Sequence, residues 1–329
     1  MNMNGLRQSA FGRRNADCRE RGTWNACVPA EKGLQAAGCP GAGPKAAGRL
    51  TKAVWGALAA ILLSTSAFAQ PLPDPKTATP AAIAAALLDD TREQKAREPL
   101  ARDASPRAAE IVQALLVGMP ANDETEEYRR IPWIWRVAVA AGRARDVDAL
   151  KALTDVSMPN ANEPLRDWQA VVLGGGVVMG LSQAGAAPHE VMAPWLAEDA
   201  TRRSRWSRSL DLAERMADDT KVRNGTRYDA LRMLAVLPYD RVGAQLTRYL
   251  SKDVDAELQM GAIGGLADLP DPRAAEALVQ HMPQYTERNR GLAINGLLKS
   301  EAGRARLKAA IAAGAVQDAW LTPEQRARL

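Results

Sequence analysis

The chain has 329 residues, with 43 Lys and Arg against 38 Asp and Glu, and a formal net charge of +5. The basic excess lies ahead of Gln70 and the remainder is close to neutral, so composition gives nucleic-acid binding no support. All three cysteines (Cys18, Cys27, Cys39) also lie there, too widely spaced for a zinc site and without the C-x-x-C-H of a haem attachment.

In chain order, residues 1–48 have no helical or strand periodicity and read as an unstructured leader extension or a mis-assigned start. Residues 49–69 read as a signal peptide. Arg49 and Lys52 precede an apolar run from Ala53 to Leu63, and the small-residue triplet Ala67-Phe68-Ala69 follows. The run is shorter than the roughly 20 residues a stable bilayer span needs. The expectation is a periplasmic or secreted protein, cleaved after Ala69, with no stable membrane span afterwards. That mature chain has no cysteine, so its stability must come from its core.

Residues 70–123 open with QPLPDPKTATP, a proline-stiffened linker, and continue into N-terminal helices. Ser105-Pro106 suggests a cap and first-turn proline before AEIVQALL. Residues 124–220 form an irregular helical-repeat region. Ile131–Gly142 and Asp146–Val156 suggest a helical hairpin, with Gly142 ending its first helix. Pro164–Gly185 predicts a long apolar helix or a pair, and Ala200–Asp219 a surface amphipath.

Residues 221–329 carry the clearest signal. ALRMLAVLP (Ala230–Pro238) recurs in register as AIGGLADLP (Ala262–Pro270), and again at nearly the same interval as AINGLLKS (Ala293–Ser300). Within each unit the apolar positions recur at three and four, so each unit holds two amphipathic helices, with Leu-Pro as the break in the first two. Such a pair cannot bury its apolar face alone, and stacking buries a continuous core. The predicted fold class is therefore all-α, an α-solenoid of HEAT-like helical hairpins. The second helices are expected at Asp240–Leu250, Pro272–Met282 and Glu301–Ile311, with Leu246, Leu278 and Leu307 inward.

Chemistry-bearing motifs are scarce. Gly174-Gly175-Gly176 follows no strand and lacks the third glycine of a phosphate loop, so close helix approach explains it better. His189-Glu190 lacks the second histidine of a metalloprotease helix, and no G-x-S-x-G elbow occurs. Neither enzyme activity, metal nor cofactor is expected. Two aromatic-basic clusters, Trp133-Trp135-Arg136 and Arg166-Asp167-Trp168, are binding candidates because Trp and Arg are enriched at hot spots, and core packing is the competing reading. Arg227-Tyr228-Asp229 is a third. If the second helices line the concave face, Arg241, Arg248, Arg273, Gln280, Arg304 and Lys308 form a mostly basic stripe suited to an acidic protein or anionic polymer.

The stretches EEYRRIPWIWRVAVAAG, EPLRDWQAVVLGGG, GTRYDALRMLA and AELQMGAIGGLADL resemble the helical-repeat segment of exported PVC-type haem-binding dehydrogenase-like proteins. The resemblance runs from about Tyr128 to the C-terminus and implies an exported α-solenoid beside redox modules. Propeller strands and haem-attachment cysteines are missing, so those activities do not carry over. The expected function is a non-catalytic protein-binding or scaffold module. The alternative is an accessory subunit of a periplasmic dehydrogenase/cytochrome c complex, with an exported redox enzyme or cytochrome as partner. A chromophore lyase, the third reading, would need a reactive thiol, which the mature chain lacks, or a paired acid site in a groove, of which the sequence shows no sign.

Overall fold

Short polar caps and prolines start most of the helices. In the computed structural model, which describes residues 71–120, 123–158 and 165–329, Thr79 caps α1 (Pro80–Leu87) by accepting from the Ala82 amide. The expected linker is built here as a turn, with Asp74 accepting from the Lys76 amide and the Thr77 hydroxyl. α2 (Gln94–Asp103) follows. Ser105 is buried in a 3-10 turn and makes no side-chain cap, and α3 begins beyond it (Ala108–Leu116). Asp123 caps α4 (Glu124–Ala144) and Asp146 caps α5 (Val147–Ser157).

Gly142 does not end α4. The helix runs on to Ala144 and stops at Arg145, which takes the left-handed conformation at φ 57°. A π-helical turn, Trp168–Leu173, then feeds without a break into α6 (Gly174–Gln183). α7 (Pro188–Glu198) and α8 (Ala200–Asp218) follow, Asp199 capping the latter.

The repeat region gives α9 (Asn224–Met233), α10 (Tyr239–Arg248), α11 (Ala256–Ala267), α12 (Pro272–Gln280), α13 (Glu287–Leu297) and α14 (Glu301–Ala312). A capping box between Thr322 and Gln325 starts the last short helix, α15 (Pro323–Ala327). The protein is thus all-α, with 15 α-helices and no strand among the described residues. None of these helices is long and apolar enough to cross a membrane. The expected leader and signal, residues 1–69, lie outside the described residues.

The helices from Leu72 onward pack in two rows. The first row is α2, α4, α6, α9, α11 and α13, each packed on the next. The second begins with α1, α3 and α5 and continues through α8, α10, α12 and α14. The π turn packs on both α5 and α8, and ion pairs link α8 to α10. Apolar side chains between the rows form one continuous core. Leu246, Leu278 and Leu307 all lie in it at no more than 1% exposure, as the repeat register requires.

Glycine sets the spacing within the first row. A Cβ on Gly180 would come 2.8 Å from Gly142 Cα, and one on Gly142 would come 2.9 Å from Gly180 Cα. The two backbones therefore touch where α4 crosses α6. On the other side of α6, a Cβ on Gly175 would meet the Asp229 backbone carbonyl carbon at 3.0 Å. The triple glycine thus lets α6 fit between α4 and α9, as close helix approach predicts. Gly265 against Leu231 and Gly296 against Ala267 repeat the device farther along.

Candidate functional site

Of the predicted binding residues, Trp133 is a core residue. It is 4% exposed, and its ring lies between the guanidinium groups of Arg97, 4.8 Å from the centroid, and Arg136, 5.1 Å away. Arg136 also faces Glu98 at 3.5 Å and donates to the Pro132 carbonyl. Trp135 is half-buried, and its indole N–H donates to Asp229 Oδ1 at 3.0 Å, tying α4 to α9. Trp168 is buried, whereas Asp167 beside it stays accessible. Protein crowded around the Asp167 carboxyl raises its pKa, against the opposing charge of Arg223.

The expected basic stripe is charge-balanced. Arg241 pairs with Glu214 and Asp211 at 2.6 Å each, and those two carboxylates, Glu214 foremost, raise its pKa. Arg248 pairs with Asp218 at 2.8 Å, and Arg273 pairs with both Asp240 and Asp271 at 2.7 Å. Gln280 donates to Glu276, and Arg304 to the Leu298 carbonyl. Lys308 is exposed. The arginines lie on the second row and join helix to helix, a pattern extended by Arg202 with Asp155 and Arg306 with Glu276. Formal charge alone made the stripe look basic. Asp211, Glu214, Asp218 and Asp240 lie one helix back in the row, out of view of a single-helix projection, and Asp271 caps Arg273's own helix.

A second set of polar residues has a role not legible in the sequence, where only Arg227 among them is a binding candidate. Arg227 Nε donates to the Ala217 carbonyl at 2.9 Å, in the last turn of α8, and Arg97 donates to the Leu87 carbonyl at the end of α1. Gln259 Nε2 donates to the carbonyls of Leu250 and Ser251 just past α10. Each is a buried side chain at the fourth residue of a first-row helix, clamping the carboxyl end of the second-row helix before it. Those carbonyls have no partner within their own helix, so the clamp satisfies them. Arg227, Gln259 and Arg290 occupy the same position in successive units, so the repeat register marks the place. Arg290 turns instead to the Tyr285 carbonyl and stacks on Trp320, 4.1 Å from its centroid.

Three contacts join first-row helices to one another: Trp135 donates to Asp229, the Tyr228 hydroxyl reaches Met179 Sδ at 3.3 Å, and Arg288 reaches Met260 Sδ at 3.9 Å. At the carboxyl ends of these helices Asp268, its carboxylate 2% exposed, accepts from Arg232 Nη2 at 2.7 Å, Lys299 Nζ at 2.7 Å and the Ser182 hydroxyl at 2.8 Å. Lys299 Nζ also donates to Ser182 Oγ at 2.7 Å. One carboxylate thus ties the ends of α6, α9, α11 and α13 together.

Among the described residues no group of three or more His, Cys, Asp or Glu could hold a metal ion. The crevice between Leu153, Gly174 and Trp206 has no room for a water-sized sphere. Against protein-family models, curated proteins and solved structures alike, the chain finds no match.

Proposed function

We propose that the chain is an exported, non-catalytic scaffold, a HEAT-like α-solenoid that holds a protein partner along the outer face of its first row. The observation that carries this reading is the row of half-buried Trp135, Met179 and Met260 on closely spaced first-row helices, held by the buried Tyr228 and Asp229 and ending at the exposed Arg288. Met and aromatic side chains adapt to varied apolar partners, and aromatic anchors dominate interface energetics.

The spacing also favours this face over the second row. Glycine-to-backbone contacts bring first-row helices together, while arginine–carboxylate pairs span the second row. A two-row stack with one row more closely spaced bends toward that row. The first row is therefore taken as the concave side, where repeat proteins bind, in place of the second helices expected from the sequence. The second-row arginines then serve cohesion rather than recognition.

Photo-crosslinking in the exporting cell tests this reading. p-Benzoylphenylalanine in place of Met179 or Met260 should give a discrete higher-mass adduct in the periplasmic fraction. The same group in place of Ala244 or Lys308, both on the second row, should give none. Adducts only from the second-row positions would overturn the assignment.

A further inference from the structure

We infer that Arg232, with Lys299 beside it, is a carboxylate anchor at the carboxyl ends of the first-row helices and seats an acidic side chain of the bound polypeptide. This rests on the scaffold reading and adds the chemistry of what the scaffold recognises. Three observations carry it.

The Arg232 guanidinium is held in place and only partly used. Its side chain is 6% exposed, and Nη2 is fixed on Asp268 Oδ2. Nε is buried with no hydrogen-bond partner, and Nη1 makes no hydrogen bond within the described residues. Arg97 and Arg290 also have an unpartnered buried Nε, but both spend a terminal nitrogen on a backbone carbonyl, whereas Arg232 spends its only bond on Asp268.

A glycine makes room for the guanidinium. The repeat register pairs Arg232 with Gly264, the equivalent position of the next unit. A Cβ at Gly264 would overlap Nη1 and come 2.7 Å from Cζ, so the guanidinium lies directly over the bare backbone of α11. Any other residue there would displace the guanidinium.

Charge at the cluster is unbalanced. Arg232 and Lys299 share the single carboxylate of Asp268, whose second oxygen is also taken by Ser182. One positive charge is left over in a poorly hydrated site, and Lys299, 36% exposed, opens it to solvent. A carboxylate is the complementary group, since the arginine fork and a neighbouring ammonium can donate to both its oxygens. Met260, half-buried, lies one turn back along α11 from Gly264, so an apolar side chain beside the acid has a surface to cover. The short Ser182–Lys299 contact does not make a nucleophile and base, because Lys299 faces a carboxylate rather than the apolar pocket that activates such a lysine.

The test uses the full chain and short fluorescein-labelled peptides that carry one Glu flanked by Leu and Met, together with the same peptides carrying Gln. The native protein should bind the Glu set about tenfold more tightly than the Gln set, the size expected of one charge-assisted contact. That preference should vanish in Gly264→Ala, which keeps every charge. It should vanish too in the double variant Arg232→Leu/Asp268→Leu, which removes the buried pair together and leaves only the Lys299 ammonium, 36% exposed and open to solvent. Equal binding of the Glu and Gln sets by the native protein, or a preference that survives both variants, would overturn the anchor while leaving the face a docking surface. Absence of binding by either set would also overturn the anchor, and the scaffold reading would then be decided by cross-linking.

Discussion

Glycine does opposite things at different positions in this chain. At Gly180 the missing Cβ lets α6 touch α4 backbone to backbone, whereas a Cβ on Gly291 would meet nothing within 4 Å. The two therefore predict opposite effects of the same substitution. Gly180→Ala forces apart two helices whose separation is set by main-chain atoms, so it should destabilise by about 1–3 kcal/mol, the usual range for overpacking a core. Gly291→Ala sits inside α13 at a helical φ and should stabilise by roughly 0.5–1 kcal/mol, because alanine loses less backbone freedom on folding. Urea titrations of the two variants measure both. Equal and small shifts would mean that α4 and α6 are not in backbone contact.

Among the elements, the clamps joining α2, α9 and α11 each to the second-row helix before it have a measurable weight. Arg227→Met keeps the buried stem but leaves the Ala217 carbonyl without its guanidinium donor, although the Tyr249 hydroxyl still donates there. Loss of one buried, charged donor should cost about 1–3 kcal/mol. Leu246→Ala and Leu278→Ala, equivalent residues of successive units, should each cost about 2–5 kcal/mol and by similar amounts. Chemical melts followed by circular dichroism would check all three; a neutral Leu278→Ala would break the equivalence. The leucines were legible from the sequence because the repeat register and the three-and-four spacing determine which side is buried. The breaks between the paired helices at Leu237-Pro238 and Leu269-Pro270 were legible for the same kind of local reason, the proline. The clamps obeyed the register too, but a polar residue on an apolar face gives no hint of which carbonyl it reaches. The end of α4 was misread because a glycine near a helix terminus signals a cap. Its real cause, a backbone contact with Gly180 on another helix, leaves no local trace. The Asp268 cluster was invisible for the same reason, being assembled from four helix ends.

For the whole molecule, the ion pairs along the second row make stability depend on pH in a definite direction. Hydrogen bonding from Arg306 lowers the pKa of Glu276, and Arg273 does the same for Asp271. A carboxylate whose folded pKa lies below its unfolded value adds stability above the unfolded value and loses it as pH falls through the folded one. With unfolded values near 3.9 for Asp and 4.3 for Glu, that loss begins at about pH 4 and grows below it. Burial acts at the other limit, raising the phenols of Tyr249 and Tyr285 above their ordinary value. These groups contribute fully below about pH 10 and lose their contribution as pH rises beyond it. The thermal midpoint should therefore stay level from about pH 5 to 9 and fall on both sides. The acid limb rests on partly exposed pairs, so 1 M salt, which cuts the screening length to about 3 Å, should flatten it, while the alkaline limb, set by burial, should persist. Glu276→Gln should shrink the acid limb and lower the midpoint at pH 7 only slightly, because an exposed pair is worth little. An acid limb of unchanged depth in high salt would show that the two rows are held by their core alone and that the second-row pairs contribute nothing to cohesion.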